Sequence, residues 1–374
     1  MSDPRVFNFA KILVEHSTRV QPGDRILIEA TPAAAPLVRE VYLQILAKGG
    51  HPVPFLQFSE MFFPQHEDLL TRHGSDDQLA FVPPFHAIAY EQFEGRIRIH
   101  SSENTRSQSN MTPERSQRRA KTSGVIHASQ FRRGAEGSFK WCTTLYPTNA
   151  YAQDAGMSLE EYENFVFNAV HAQEADAISY WKGTRVEQQK AIDWLKGKNQ
   201  VTLRGPNVDL TLSIGGRTFN NSMGVYNMPD GEIYTGPVEN SVNGWVKFTY
   251  PAIYGGVAVE GAELRFIDGR VVEARAAKNE AYLLGTLDTD AGSRYLGEFA
   301  IGTNRDINRF TGNILFDEKI GGSFHMALGA GYPETGSQNH SAIHWDLICD
   351  MRQDAEILVD GEPFYRNGEF VFGK

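Results

Sequence analysis

Apolar residues near the start of the chain recur at helical spacing. Val6, Phe9, Ala10, Leu13 and Val14 make one stripe that Ser17 continues, and this predicts an amphipathic helix. Val20-Gln21-Pro22-Gly23-Asp24 is turn chemistry, and Arg25–Ala30 follows as a short buried strand. A second helix starts after Pro36 with Leu37, Val38, Val41, Ile45 and Leu46 on one side, and Gly49-Gly50 closes it. Pro52–Phe58 is the next strand, so the region reads as a β-α-β unit with a parallel sheet. Phe139–Tyr146 is a further strand stopped by Pro147. Ser158-Leu159-Glu160-Glu161 is a capping box opening a helix through about Ala172, with Tyr162, Phe165, Val166 and Ala169 on its apolar face. A short helix covers roughly Val186–Leu195 and ends at Gly197.

After Lys198 the period changes from helical to two. Gln200–Arg204, Val208–Ile214, Arg217–Phe219, Val246–Tyr250, Leu264–Ile267 and Arg270–Ala274 alternate between turns, with Asp268-Gly269 as a hairpin. Only Ala281–Leu296 reads as helical there. The pattern predicts an α/β N-terminal domain, residues 1–195, built on a parallel sheet with crossover helices. A β-dominated α+β C-terminal domain follows over residues 196–374, and no internal repeat is evident.

Composition narrows the function classes. Across 374 residues the net charge is -10, which argues against a general nucleic-acid binder. Cys142 and Cys349 are the only cysteines, too few for a disulfide framework or a Cys-rich zinc site. No apolar run approaches the roughly 18 residues of a membrane span, and MSDPRVFNFAKIL lacks an apolar signal core, so the expected location is the cytoplasm. Thr31-Pro32-Ala33-Ala34-Ala35-Pro36, between the first strand and second helix, contains no glycine and no phosphate-binding fingerprint. The first domain therefore reads as an organising or lid unit. The basic stretch Glu103–Arg133, with Arg106, Arg115, Arg118, Arg119, Lys121, Arg132 and Arg133, reads as a solvated helix face. A subset of these arginines could meet a substrate carboxylate.

Chemistry concentrates in Gly321–Asp346, GGSFHMALGAGYPETGSQNHSAIHWD. Two imidazoles, His325 and His344, with Asp346 form a ligand set for a divalent metal, and Tyr332 is a usable acid or oxyanion donor. On a strand, His344 and Asp346 at i and i+2 point to one face. The bland alternative is a turn-capping His325 and an ordinarily hydrogen-bonded His344. Glu232, Glu298 and Glu318 stand in or beside apolar runs, where an unpartnered carboxylate is costly. Any one alone would pass for a surface glutamate. Together the six exceed one tetrahedral zinc site and suit a two-metal site with a bridging carboxylate.

The runs Gly231–Gly244, Arg294–Glu298, Leu315–Glu318, His325–Gly329, Gly331-Tyr332 and His344–Asp346 stand in this order. They resemble the M29 metallopeptidases, the thermophilic aminopeptidase T family that includes the AmpS and PepS types. The resemblance implies a two-domain homodimer whose C-terminal domain holds two divalent ions, zinc, cobalt or manganese. It implies Glu232, Glu298, Glu318, His325, His344 and Asp346 as metal ligands and Tyr332 as the catalytic tyrosine. The implied substrate is a peptide or small amide losing its N-terminal residue. Either Glu298 or Glu318 would relay a proton to the leaving amine. Two departures stand out: the glycine-bearing link from Glu318 to His325 is longer than in well-known members, and the loop Gly331–His340 is shorter. Two further readings compete with hydrolysis. One is a mononuclear iron ring-opening dioxygenase of a hydroxylated pyridine, using His325, His344 and Asp346. The other is a non-catalytic metal- or peptide-binding protein.

Overall fold

The computed structural model describes residues 3–57, 66–107 and 111–373. The chain forms two compact units, Met1–Trp181 with Gly224–Pro229, and Lys182–Met223 with Asp230–Lys374.

The first unit is the expected α/β fold. Its first helix is α-helical over Pro4–Lys11 and continues as a π-helix over Ile12–Ser17. Asp3 caps it by accepting from the Arg5 backbone N–H at 2.9 Å. The second helix, Ala35–Ala47, is closed by Gly49 at φ +76°, a left-handed conformation that glycine adopts at little cost. Five parallel strands lie in the order His51–Leu56, Arg25–Ala30, Gly95–His100, Lys140–Leu145, Asn227–Met228. The second strand ends at Leu56, and Phe58, the expected end, lies outside the described residues. Phe9, Leu13, Ile26, Ile28, Leu37, Val41, Ile97 and Trp181 share one buried core.

The basic stretch departs from a simple solvated face. It is largely the helix Pro113–Ala135, and several of its arginines bind their own unit. Arg119 forks onto Glu67 at 2.7 and 2.8 Å, Arg115 Nε donates to Thr71 O at 2.7 Å, and Arg133 donates to Tyr90 O at 2.8 Å. A guanidinium has five donors, so each of these residues ties a carbonyl or carboxylate of the helices His66–His73 or Pro84–Gln92 to this helix.

The second unit is β-rich and antiparallel. One sheet runs Arg270–Arg275, Glu263–Ile267, Asn243–Lys247, Val208–Ser213, Gln200–Gly205, Glu356–Val359, Glu362–Arg366, Glu369–Phe370. A second runs His344–Asp350, Ser323–Gly329, Leu296–Gly302, Glu232–Thr235, Asn220–Ser222, and Ala252–Tyr254 pairs with Val257–Val259 in a small third sheet. The two larger sheets contribute to a single core that includes Val201, Leu210, Leu264, Phe299, Met326 and Trp345. The expected short helix is the second half of Ala177–Leu195, whose Ala191, Ile192 and Leu195 join that core. The expected strand Arg217–Phe219 forms three residues later, at Asn220–Ser222.

The expected helix Ala281–Leu296 is shorter, Glu280–Leu287. Asp290 ends the possibility of continuing it, because its carboxylate accepts from the backbone of Gly292 and Ser293 at 2.9 and 3.0 Å. A side chain that captures nearby N–H groups in this way offers the backbone an alternative to the helical ladder. Among the described residues, no helix is long and apolar enough to cross a membrane.

Candidate metal centre

Four neighbouring strands of the second unit's five-stranded sheet sort their residues by face, with a register shift between Leu296 and Glu298 that lets Leu296 enter the core as well. Ile233, Phe299, Ile301, Phe324, Met326, Leu328, Trp345 and Leu347 enter the core. The alternate positions Glu232, Tyr234, Glu298, His325, His344 and Asp346 therefore share the opposite face. A one-residue slip of any strand would exchange the two sets. The cost would be roughly 1.5–3 kcal/mol for each large apolar side chain exposed, so the core fixes the register of the polar face.

Register also determines what stands between the polar groups. Glu298 and Asp346 both flank Ala327, His325 faces Ala300, His344 faces Gly329, and Glu232 faces Gly302. Long donors thus alternate laterally with alanine or glycine, and the donors lean together above the small residues. Gly329 has φ +99°, and a Cβ there would lie 2.2 Å from Ile343 O, so no larger residue fits. Ala327→Leu is expected to fill this space and abolish metal retention while every donor remains, as measured by metal content after dialysis. Metal content equal to the parent chain's would show that the space above Ala327 is not where the ions sit.

The donors converge. His325 Nε2 lies 3.4 Å from Glu232 Oε2 and 3.6 Å from Glu298 Oε1. His344 Nε2 lies 3.3 Å from Glu298 Oε2 and 3.5 Å from Asp346 Oδ1. These separations exceed an ordinary N–H···O bond of about 2.7–3.2 Å. They match the roughly 3.4 Å between two ligand atoms each about 2.1 Å from one tetrahedral ion. Glu232 Oε2, Asp346 Oδ1 and His325 Nδ1 are buried without hydrogen-bond partners, as expected where a cation satisfies the oxygens. His344 Nδ1 lies 2.8 Å from Ala330 O and must carry a proton there, which leaves Nε2 as the lone pair facing Glu298 and Asp346. Three groups of donors lie close enough to hold an ion: Glu232–Glu298–His325, Glu298–His344–Asp346 and Glu318–His325–Asp346. All six expected ligands are therefore brought together, and the residues present fit divalent cations.

Glu318 follows the short helix Ile314–Asp317, at the rim, with 16% of its side chain exposed. Its neighbour Lys319 is 1% exposed, and Nζ lies 2.5 Å from Glu232 Oε1 and 2.6 Å from Glu318 Oε1. Burial works against the ammonium, but Glu232, Glu318 and Asp230 hold its pKa well above the usual value. Tyr332 opens the 3-10 turn Pro333–Thr335, and its carbonyl accepts from Thr335 N at 3.0 Å and Thr335 Oγ1 at 2.6 Å. Its ring centroid lies 5.2 Å from that of His344 and 5.4 Å from that of Tyr234. Burial and the carboxylates of Glu298, Asp346 and Glu318 hold the Tyr332 phenol well above its usual range, so it is a donor.

Tyr234 and Lys319 are the site residues that sequence reasoning did not single out. Period-two spacing from Glu232 would have found Tyr234. Nothing local distinguishes Lys319 from a solvated lysine beside a glutamate.

Without a cation the centre is proton-rich. Burial pushes the imidazoles down, but carboxylate neighbours overcome it, raising His325 to about 9 and His344 well above its usual value. Burial also pushes the Glu232 carboxyl up. A raised imidazole pKa stabilises the fold fully below about 6.5, and that contribution is lost as pH rises through the folded value near 9. Cation binding has the opposite sign, because ligands must shed protons. The difference in Tm between metal-loaded and chelator-treated protein is therefore expected to widen between about pH 6.5 and 9, read by calorimetry. A difference that narrows over this window would remove the imidazoles from the ligand set.

Comparison with known proteins follows the same outline. A family model described as thermophilic metalloprotease (M29) matches residues 2–370. Aminopeptidase 2 of Geobacillus stearothermophilus is 27% identical, with 97% of each chain covered. The structure of wild-type AmpT from Thermus thermophilus superposes with a TM-score of 0.85 at 22% identity, covering 98% of this chain and 99% of that one. A 2,5-dihydroxypyridine dioxygenase from Pseudomonas putida KT2440 superposes with a TM-score of 0.60 at 12% identity, over 99% of this chain and 97% of that one. Both likenesses show the shared fold.

Proposed function

The chain belongs to the thermophilic metalloprotease family M29, and from that premise we propose that it is a metal-dependent aminopeptidase acting through two divalent ions. The convergence of Glu232, Glu298, His325, His344 and Asp346 at ligand-like separations, with Glu318 beside them, carries this reading. Glu298, which turns one oxygen to each imidazole, would be shared between the two ions. Glu232 and His325 would complete one half, and His344 and Asp346 the other. Bound there, the ions supply a nucleophilic water at neutral pH and polarise the scissile carbonyl.

The chain's own groups do the rest. Tyr332 donates a hydrogen bond to the oxygen on which negative charge develops. Both oxygens of Glu298 face imidazoles, whereas Glu318 stands at the rim with Oε2 free of the Lys319 contact. Glu318 is thus the group that takes a proton and delivers it to the leaving amine nitrogen. The same reading carries zinc, cobalt or manganese as the ions, peptides or small amides as substrates, and a cytoplasmic homodimer.

An iron dioxygenase would need His325, His344 and Asp346 on one ion. Among the described residues, each convergent group holds a single imidazole with two carboxylates, which supports hydrolysis instead. The test is a panel of aminoacyl p-nitroanilides and short peptides, with N-acetylated peptides as controls, assayed with cobalt, zinc or manganese. Release of the N-terminal residue from free peptides alone is expected. A fully metallated protein that cleaves none of them would overturn the proposal.

A further inference from the structure

Lys319 breaks the symmetry between the two halves of the centre. Its backbone is held on both sides, Lys319 N donating to Phe316 O at 2.9 Å and Lys319 O accepting from Asn304 N at 3.2 Å. The side chain runs into the sheet face, where a buried ammonium requires anionic partners. It finds Glu232 Oε1 at 2.5 Å, Glu318 Oε1 at 2.6 Å and Asp230 Oδ1 at 3.9 Å. Glu232 is therefore divided: Oε1 serves Lys319, while Oε2 faces His325. Among the described residues, no lysine or arginine pairs with Glu298, His344 or Asp346; their ion-pair neighbours are each other and His325.

A cation held by Glu232 Oε2 would thus have a fixed positive charge on the far oxygen of the same carboxylate. The carboxylate's electron density would be shared, and the two positive charges would repel at short range in a site of low exposure. The Glu298–His344–Asp346 half lacks this opposing contact. We propose that Lys319 acts as a resident cation that makes the halves unequal: the first ion loads at Glu298–His344–Asp346, and the second binds more weakly at Glu232–Glu298–His325. This rests on the two-ion reading above. Lys319 is a positioning residue on this account, because it acts through Glu232 and also draws Glu318 Oε1 away from the ions.

Calorimetric titration of the metal-stripped full chain with Zn2+ tests the proposal. Two steps differing by at least about tenfold in Kd are expected. Lys319→Met, which keeps the length and removes the charge, is expected to tighten the weaker step by about tenfold or more and leave the stronger step nearly unchanged. Two equal steps in the parent chain, or a weaker step that Lys319→Met does not tighten, would overturn the role of Lys319. If Lys319→Met does not fold, Glu232→Ala and Asp346→Ala decide instead. Glu232→Ala is expected to lose only the weaker step and Asp346→Ala the stronger, and the reverse assignment overturns the proposal. A parent chain that binds no divalent ion at all defeats the two-ion reading itself, an outcome distinct from two equal steps.

Discussion

Glu298→Ala is expected to release both ions and lower kcat/KM by a factor on the order of 10³ or more, the scale of losing several kcal/mol of charge stabilisation. No other side chain belongs to both of the groups that the proposal loads with metal. Its oxygens lie 3.6 Å from His325 Nε2 and 3.3 Å from His344 Nε2, and it is only 4% exposed, so water cannot readily replace it. Burial opposes its ionisation, yet the two imidazoles hold the carboxyl below its usual range, so it is an anion before any ion arrives. Glu298→Gln is expected to behave almost as badly, because an amide of the same shape offers one neutral oxygen where two charged ones are needed. Metal content after dialysis and steady-state kinetics on one preparation provide the check. Retention of two ions per chain by Glu298→Ala would remove it from the bridging position.

Tyr332→Phe is expected to reduce kcat by about 10²–10³, the usual loss when one oxyanion donor is removed, with little change in KM or metal content. The ring is positioned by the turn Pro333–Thr335 and by its neighbours His344 and Tyr234, none of which depends on the hydroxyl. Among the described residues that hydroxyl has no hydrogen-bond partner, so its removal leaves no unsatisfied group behind. An effect confined to KM would make Tyr332 a substrate-binding residue, and a loss of metal would make it structural. Parallel measurement of kcat, KM and metal content separates the three outcomes.

Much of the fold was legible because it is decided locally. The stripe Val6, Phe9, Ala10, Leu13, the Ser158 capping box and the period-two runs after Lys198 each state their element within a few residues. The errors arose where a distant or competing contact decided. Ala281–Leu296 reads as one helix, but the Asp290 carboxylate captures the N–H groups of Gly292 and Ser293 and the helix ends at Leu287. Arg115, Arg119 and Arg133 read as solvated because their acceptors, Thr71, Glu67 and Tyr90, are 44, 52 and 43 residues away in the chain.

The centre divides in the same way. Alternation by itself placed His344 with Asp346 on one face of a strand, since the pleat has a period of two wherever the strand lies. Apolar neighbours also marked Glu298 as a carboxylate that would need a partner. Which donors come together depended on register, through backbone pairing of residues as near as Gly329 with His344 and as far as Glu232 with Gly302 in the chain. That register set Ala327 between Glu298 and Asp346 and put Glu298 in reach of both imidazoles. The partners of Lys319 were hidden for the same reason. Only the folded sheet brings Glu232, 87 residues earlier in the chain, within 2.5 Å of its ammonium. Local periodicity dictates which way a side chain points, whereas its neighbours are set by long-range pairing and by the core that makes one register cheaper than the next.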